Sequence, residues 1–346
     1  MDVAETESRL AAFIGQSLGQ KVESVKLTAR FSVGAARSSY AIDVAFAVPD
    51  GPRIERYVVK QDPLQEGASL VPGSVMQEYD WYTAIWGAGG GVLMPEPVLA
   101  DRSGEVLGSP FMIARQVDGI SDYGGLHKPS YDNAKRQQIA LQAFEQLGRI
   151  AGIDVSGFEQ AKQADATPPW QRELDCWQAV LDECELGPLP MVRAGIHALR
   201  ANPPPPPRKL SVVHGDFRFG NFLYTPEGVQ AILDWEMTHV GDAHEDLGWA
   251  LKKNWRFADQ AKIWGFVDDE QHMLAAWEQA SGLQVDRHAL HWWTLLNHIK
   301  AAGLWLKGAH AVRGGTSDVL TYLMAHWQGT PYEEAMIAQD IRELWT

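Results

Sequence analysis

The sequence predicts an α+β chain of two lobes, an N-terminal antiparallel sheet carrying one main helix and a larger, mostly helical C-terminal part. Three observations predict this. The 346 residues exceed what one hydrophobic core usually organises. Residues 21–117 read largely as short strands separated by turn residues. From about Tyr131 the apolar residues recur at helical spacings of three and four. The expected lobes run over 1–113 and 119–346, with 114–118 connecting them.

The elements follow in order. In MDVAETESRLAAFIGQSLG, Leu10, Phe13, Ile14 and Leu18 share one helical face. KVESVKLTARF, SSYAIDVAFAV and RIERYVVK are strands, the last two joined by Pro-Asp-Gly-Pro at 49–52. PGSVMQEYDWYTAIW is a helix with Val75, Tyr79 and Tyr82 on a common stripe, ended by the glycines of 87–91. PEPVLADRSGEVLGSPFMIARQVDG supplies two more strands around a turn at Asp101–Gly104. YDNAKRQQIALQAFEQLGRIA and QRELDCWQAVLDECEL are helices, and the prolines of 203–207 form a stiff spacer before the strand LSVVHGD. NFLYTPEGVQAILDWE is a hairpin turning at Pro226-Glu227-Gly228, and the chain from Asp246 is helical and rich in tryptophan.

Composition narrows the function classes. With 45% hydrophobic and 21% charged residues this is globular material. A net charge of −14 argues against nucleic-acid binding, since a phosphate backbone calls for surplus Lys and Arg. The N-terminus has neither the basic start nor the apolar run of a secretory signal, and no apolar run reaches the ~18 residues of a membrane span. Cys176 and Cys184 form no CxxC pair. The expectation is a cytoplasmic protein, free of membrane and nucleic acid, acting as a monomer or homodimer.

The chemistry concentrates in VVHGDFRFGN, Val212 to Asn221. His214-Gly215-Asp216 closes a strand, Asn221 opens the next, and Asp234 ends the return strand of ILDWE. A hairpin brings its ends together, so Asp216, Asn221 and Asp234 should converge. Two carboxylates and a carboxamide suit Mg²⁺, which takes one or two protein carboxylates together with substrate phosphates. Upstream, such chemistry calls for a strand lysine on the phosphates and a helix acid to orient it. Lys60 ends YVVK, and Glu78 lies in the following helix, with Glu66 and Asp80 nearby.

On these residues the chain resembles the aminoglycoside phosphotransferase and choline kinase group, small-molecule kinases of protein-kinase-like fold. That group carries HGDxxxxN, here His214 to Asn221, then a hydrophobic strand ending in Asp-Trp or Asp-Phe, here Asp234-Trp235. A GDPxxDLA-like element appears as Gly241 to Gly248, with Ala243 in place of the Pro. GDFRFGNFL and LDWEMTHVGDAHEDLGW look closest to general bacterial phosphotransferases related to kinase domains that accompany acyl-CoA dehydrogenases.

The resemblance implies ATP or GTP as phosphate donor, Mg²⁺ as cofactor and a small-molecule hydroxyl as acceptor. That acceptor is aminoglycoside-like, or a hydroxyacyl compound such as a CoA thioester. Asp216 would be the catalytic base, Arg218 a stabiliser of transition-state charge, and Asn221 and Asp234 the metal ligands. Lys60 and Glu78 would serve the nucleotide phosphates. The phosphate-covering loop would be Phe31 to Ser39, with Gly34, Ser38 and Ser39. Ala114 to Val117, including Arg115, would be the hinge that meets the base.

Other groups have plainer readings. His214 holds the loop, and Asp246 braces it or caps the helix DLGWAL. Trp249, Trp255, Trp264, Trp292 and Trp293 are core, with one or two lining the acceptor pocket. His291 and His298 are packing or surface residues. KKNWR at 252–256 is either a solvated helix or a docking patch for an anionic acceptor. Two rival functions stand beside the kinase: a non-catalytic nucleotide-binding module, and a metal-dependent hydrolase built on His239, Asp242, His244 and Glu245 with His214 and Asp216.

Overall fold

The structure, a computed structural model, describes residues 2–31, 37–49, 51–63, 73–162, 167–256, 259–315, 317 and 319–344. Gly34 and Glu66 therefore lie outside the described residues. The chain divides into two compact units, one of Met1–Gly87 with Met94–Asp118, the other of Ala88–Leu93 with Gly119–Thr346.

The first unit contains α1 (Val3–Leu18), β1 (Val22–Phe31), β2 (Ser38–Phe46), β3 (Arg53–Gln61), α2 (Val75–Ala88), β4 (Pro97–Asp101) and β5 (Phe111–Arg115). Its strands form one antiparallel sheet in the order β1-β2-β3-β5-β4. The β2 strand places Tyr40, Ile42, Val44 and Phe46 on one face, where they pack with Leu10 and Ile14 of α1 and with Tyr57 and Val59 of β3. Each such side chain contributes roughly 1.5–3 kcal/mol by leaving water. Asp2 caps α1 by accepting the Glu5 N–H at 2.7 Å, and Gly19 ends it in the left-handed conformation.

Two local expectations change here. The buried residues of α2 are Val75, Met76, Glu78, Trp81, Tyr82 and Ile85, so Glu78 belongs to the inner stripe and Tyr79 does not. The link from β4 to β5 runs over 102–110, longer than a tight turn, and Asp101 organises it by accepting the N–H groups of Ser103 and Val106 at 3.0 Å.

The second unit contains α3 (Asn133–Gly152), α4 (Glu159–Lys162), α5 (Pro169–Cys184), α6 (Pro190–Ala201), β6 (Ser211–Val213), β7 (Phe222–Thr225), β8 (Gly228–Ile232), β9 (His239–Gly241), α7 (His244–Leu251), α8 (Glu270–Ser281), α9 (Arg287–Arg313) and α10 (Thr321–Leu344). Its main core joins α5 and α6 to α9 through Leu174, Trp177, Leu181, Leu199, Trp292, Trp293, Ile299 and Leu306. The helix α6 follows α5 closely and begins at Pro190, where proline is compatible with a first turn.

The hairpin β7–β8 forms as the pattern indicates. The strand before His214 does not join it. Instead β6 pairs antiparallel with β9, Val212 opposite Val240. The site is thus carried by two ribbons, and β9 is too short to read by alternation.

Candidate active site

Between β6 and β7 the segment from His214 to Asn221 alternates inward and outward. Phe217 and Phe219 are almost fully buried, at 1% and 2% exposure. Phe219 packs edge-on against Phe222, Tyr224 and Trp264. This anchoring leaves Asp216 and Arg218, the residues between, on the partly exposed side.

The Asp216 carboxylate is held at both oxygens. Oδ1 accepts from Trp249 Nε1 at 2.8 Å and Arg218 Nε at 3.1 Å, and Oδ2 from Asn221 Nδ2 at 2.6 Å. Asn221 Nδ2 also reaches the Asp216 carbonyl at 2.8 Å. The Leu233 N–H bonds the Asn221 carbonyl at 2.8 Å, which brings Asp234 alongside. Asp234 has φ 65° and ψ 62°, a left-handed conformation uncommon outside glycine. Asp216, Asn221 and Asp234 are therefore brought together, although Asp234 lies just past its strand and not in it.

The loop is clamped from beneath. The Asp246 carboxylate accepts the N–H groups of His214 at 2.6 Å and Gly215 at 2.8 Å, and burial pushes its pKa up. Lys300 Nζ donates to the Gly215 carbonyl at 2.6 Å. Gly215 has φ +88°, and a Cβ there would meet the Met237 carbonyl oxygen at 2.5 Å, so only glycine fits. His214 Nε2 lies 2.9 Å from the Leu233 carbonyl, and its Nδ1 accepts the Asp216 N–H at 3.2 Å. The imidazole thus ties the loop to Leu233, which follows β8 and precedes Asp234.

Lys300 opens onto a buried ionic group. It pairs with Glu245 at 3.0 Å, while His239 Nε2 lies 3.1 Å from Glu245 and 3.6 Å from Glu173. Burial works against the His239 charge, but Glu173 and Glu245 outweigh it and raise its pKa to about 9. Among the described residues, Glu173, His239 and Glu245 are the ligand-type groups close enough to share an ion. The Lys300 ammonium already sits on Glu245, however, and the His239 imidazole lies between Glu245 and Glu173. The other residues of the hydrolase rival are engaged in structural bonds: His244 Nδ1 with Asp242 at 2.7 Å, Asp242 with Trp293 Nε1 at 3.1 Å, and His214 as above.

In the first unit Lys60 Nζ meets Glu78 Oε1 at 2.8 Å. Lys60 points to the sheet face opposite Val59, and Ser39 is its direct cross-strand partner. Ser38 is exposed at the start of β2. Asp80 pairs with Arg102 instead. Arg37, unassigned in the sequence, is buried beside Glu78 at 3.5 Å and Asp62 at 2.8 Å, and donates to the Gly73 carbonyl at 2.9 Å. The Arg115 side chain is spent on Glu96 at 2.7 Å and Glu55 at 3.2 Å. The Arg115 and Gln116 N–H groups bond the carbonyls of Glu96 and Arg56, and Val117 follows, half-buried.

KKNWR is neither a solvated helix nor an open basic patch. Lys252 is fully buried against Glu333 at 3.3 Å, and Lys253 bonds Gln339 at 3.4 Å. His298 belongs to the same buried group, between Glu333 and Asp340.

A five-stranded sheet with a strand lysine on a helix glutamate, in a chain whose second unit presents a clamped Asp beside an Asn and a second Asp, defines a kinase-like fold. The family model described as "Phosphotransferase enzyme family" matches residues 35–293, and the chain belongs to that family. It is a small-molecule kinase by family.

Among solved structures, a Ralstonia eutropha protein described as an aminoglycoside phosphotransferase matches with TM-score 0.73 at 20% identity, covering 97% of this chain and 98% of its own. A spectinomycin phosphotransferase in complex with ADP and its antibiotic matches with TM-score 0.59 at 11% identity, covering 96% and 98%. Among curated proteins, acyl-CoA dehydrogenase family member 11 of Gallus gallus is 24% identical over 264 residues, 72% of this chain. Member 10 of Mus musculus is 27% identical over 211 residues, 58% of this chain. The chain spans only 33% and 19% of the lengths of these two relatives.

Proposed function

We propose that the protein transfers the γ-phosphate of ATP or GTP to a hydroxyl of a small molecule, with Asp216 accepting the hydroxyl's proton. The observation that carries this reading is the double hold on Asp216, whose two oxygens are oriented by fixed donors within reach of Asn221 and Asp234. Catalysis of this kind comes mainly from positioning and electrostatics, for which a carboxylate fixed in advance is suited.

Mg²⁺ fits the donor set. The Asn221 amide nitrogen is spent on Asp216, which leaves its amide oxygen and the Asp234 carboxylate as hard oxygen ligands. When bound, the ion would neutralise charge on the nucleotide phosphates. Arg218, stacked over Trp255 at 5.2 Å and bonded to Asp216, supplies a fixed positive charge next to the base. Lys60, oriented by Glu78, binds nucleotide phosphate. Ser38 and Ser39 extend that contact, and the Val117 backbone in the 114–118 hinge meets the nucleotide base.

For the acceptor, the acyl-CoA dehydrogenase relatives favour a hydroxyacyl compound, and the antibiotic-bound neighbours favour an aminoglycoside. A nucleotide-consumption screen against aminoglycosides, amino alcohols and hydroxyacyl-CoA compounds decides, run beside Asp216→Ala. The expected result is Mg-dependent turnover with one class, lost in the variant. Full turnover by Asp216→Ala overturns the mechanism, and nucleotide binding with no turnover on any acceptor favours a non-catalytic binding module.

A further inference from the structure

We infer that Trp249 is a positioning residue for Asp216: its indole N–H sets the orientation of the carboxylate, and two buried ammonium groups over its ring hold the indole where it can do so. The inference rests on the reading of Asp216 as the base.

Trp249 is 1% exposed, and a buried indole N–H needs an acceptor. Four of the eight buried tryptophans described in this unit find one on the backbone, and Trp293 finds one on the Asp242 carboxylate. Trp235 donates to the Ile232 carbonyl, Trp255 to that of Trp249, Trp264 to that of Ala250, and Trp292 to that of Leu199. Trp249 instead donates to Asp216 Oδ1 at 2.8 Å. Arg218 reaches the same oxygen, but its side chain is 31% exposed, so of the two donors the indole is the one locked by packing.

The surroundings of the ring explain how it is locked. Lys252 Nζ lies 4.7 Å and Lys300 Nζ 5.0 Å from the ring centroid. Each ammonium is itself fixed by a buried carboxylate, Lys252 by Glu333 at 3.3 Å and Lys300 by Glu245 at 3.0 Å. A cation over an aromatic face is attracted to it, the more so away from water. It also draws electron density from the ring, which strengthens the N–H as a donor to an anion. Lys300 acts twice, since its ammonium bonds the carbonyl of Gly215, the peptide that precedes Asp216. One lysine of α9 therefore restrains both the backbone of the base and the indole that holds its carboxylate.

The test uses the full chain, Mg-ATP as donor and water as acceptor, so that no identified substrate is needed. Trp249→Phe removes the donor and keeps an aromatic ring. Replacing Trp249 by 3-benzothienylalanine keeps the indole shape and removes only the N–H. Both are expected to lower kcat about 10- to 100-fold with KM for Mg-ATP changed less than about twofold, the signature of lost alignment and not of lost binding. In ¹⁵N-indole-labelled protein, the Trp249 resonance, identified by its absence from Trp249→Phe, should shift in Asp216→Asn. Wild-type kcat in the benzothienyl protein, or an indole resonance indifferent to Asp216→Asn, overturns the inference. Turnover that survives Asp216→Asn sinks the base assignment itself. Turnover lost in Asp216→Asn but kept in both Trp249 variants sinks only the role of Trp249.

Discussion

Lys60 and Arg37 both contact Glu78, and they are not equivalent. Lys60 keeps 17% of its side chain exposed and presents its ammonium at the sheet face, whereas Arg37 keeps 2% and has three acceptors around it. Lys60→Met is therefore expected to raise KM for Mg-ATP by about tenfold with little loss of stability, as read from initial rates and urea melts. Arg37→Met takes the buried guanidinium from Asp62 and leaves Glu78 with Lys60, and should lower the unfolding free energy by about 3 kcal/mol. At this scale the sequence pointed to Asp216, Asn221, Asp234, Lys60 and Glu78, because their spacing within strand, loop and helix is local. It could not point to Arg37, Trp249 or Lys300. Arg37 meets Glu78 across 41 positions, Trp249 reaches Asp216 across 33, and Lys300 reaches Gly215 across 85. No periodicity connects such residues.

The loop from His214 to Asn221 works as an element because its N-terminal peptides are gripped on both sides, the N–H groups by Asp246 and the Gly215 carbonyl by Lys300. Gly215→Ala should be among the most damaging small substitutions in the chain. It combines a left-handed backbone with a clash on the Met237 carbonyl, and is expected to cost more than about 2 kcal/mol and to abolish turnover. Gly157→Ala, where no atom lies within 4 Å of the added carbon, is the matched control and should melt as the parent does. The hairpin β7–β8 was legible from its alternation and its Pro-Glu-Gly turn. The β6–β9 ribbon was not, since three-residue strands carry no readable pattern and their pairing is decided by the fold around them.

Across the second unit, charge is stored in two buried groups, one of Glu173, His239, Glu245 and Lys300, the other of Lys252, Glu333 and His298. Glu333→Gln strands the Lys252 ammonium, which is wholly buried, and is expected to lower stability by about 3–5 kcal/mol in urea titrations. The first group makes stability depend on pH. The His239 pKa is raised in the folded protein to about 9, so its contribution is complete below the unfolded value of about 6.5 and fades as pH climbs through 9. The urea midpoint should fall from pH 6.5 to pH 9.5, and His239→Gln should flatten that slope.

The sequence by itself determined the strands of the sheet, most of the helices and the list of groups that would carry chemistry, because alternation, helical spacing and short motifs are properties of neighbouring residues. Only the tertiary structure decided what holds those groups still. It turned KKNWR from a surface patch into part of a buried ion pair, moved His298 into the same group, and gave Trp249 a carboxylate to hold. The physical reason is desolvation. A charge or an indole N–H removed from water must find its partner wherever the packed chain provides one, and distance along the chain does not enter.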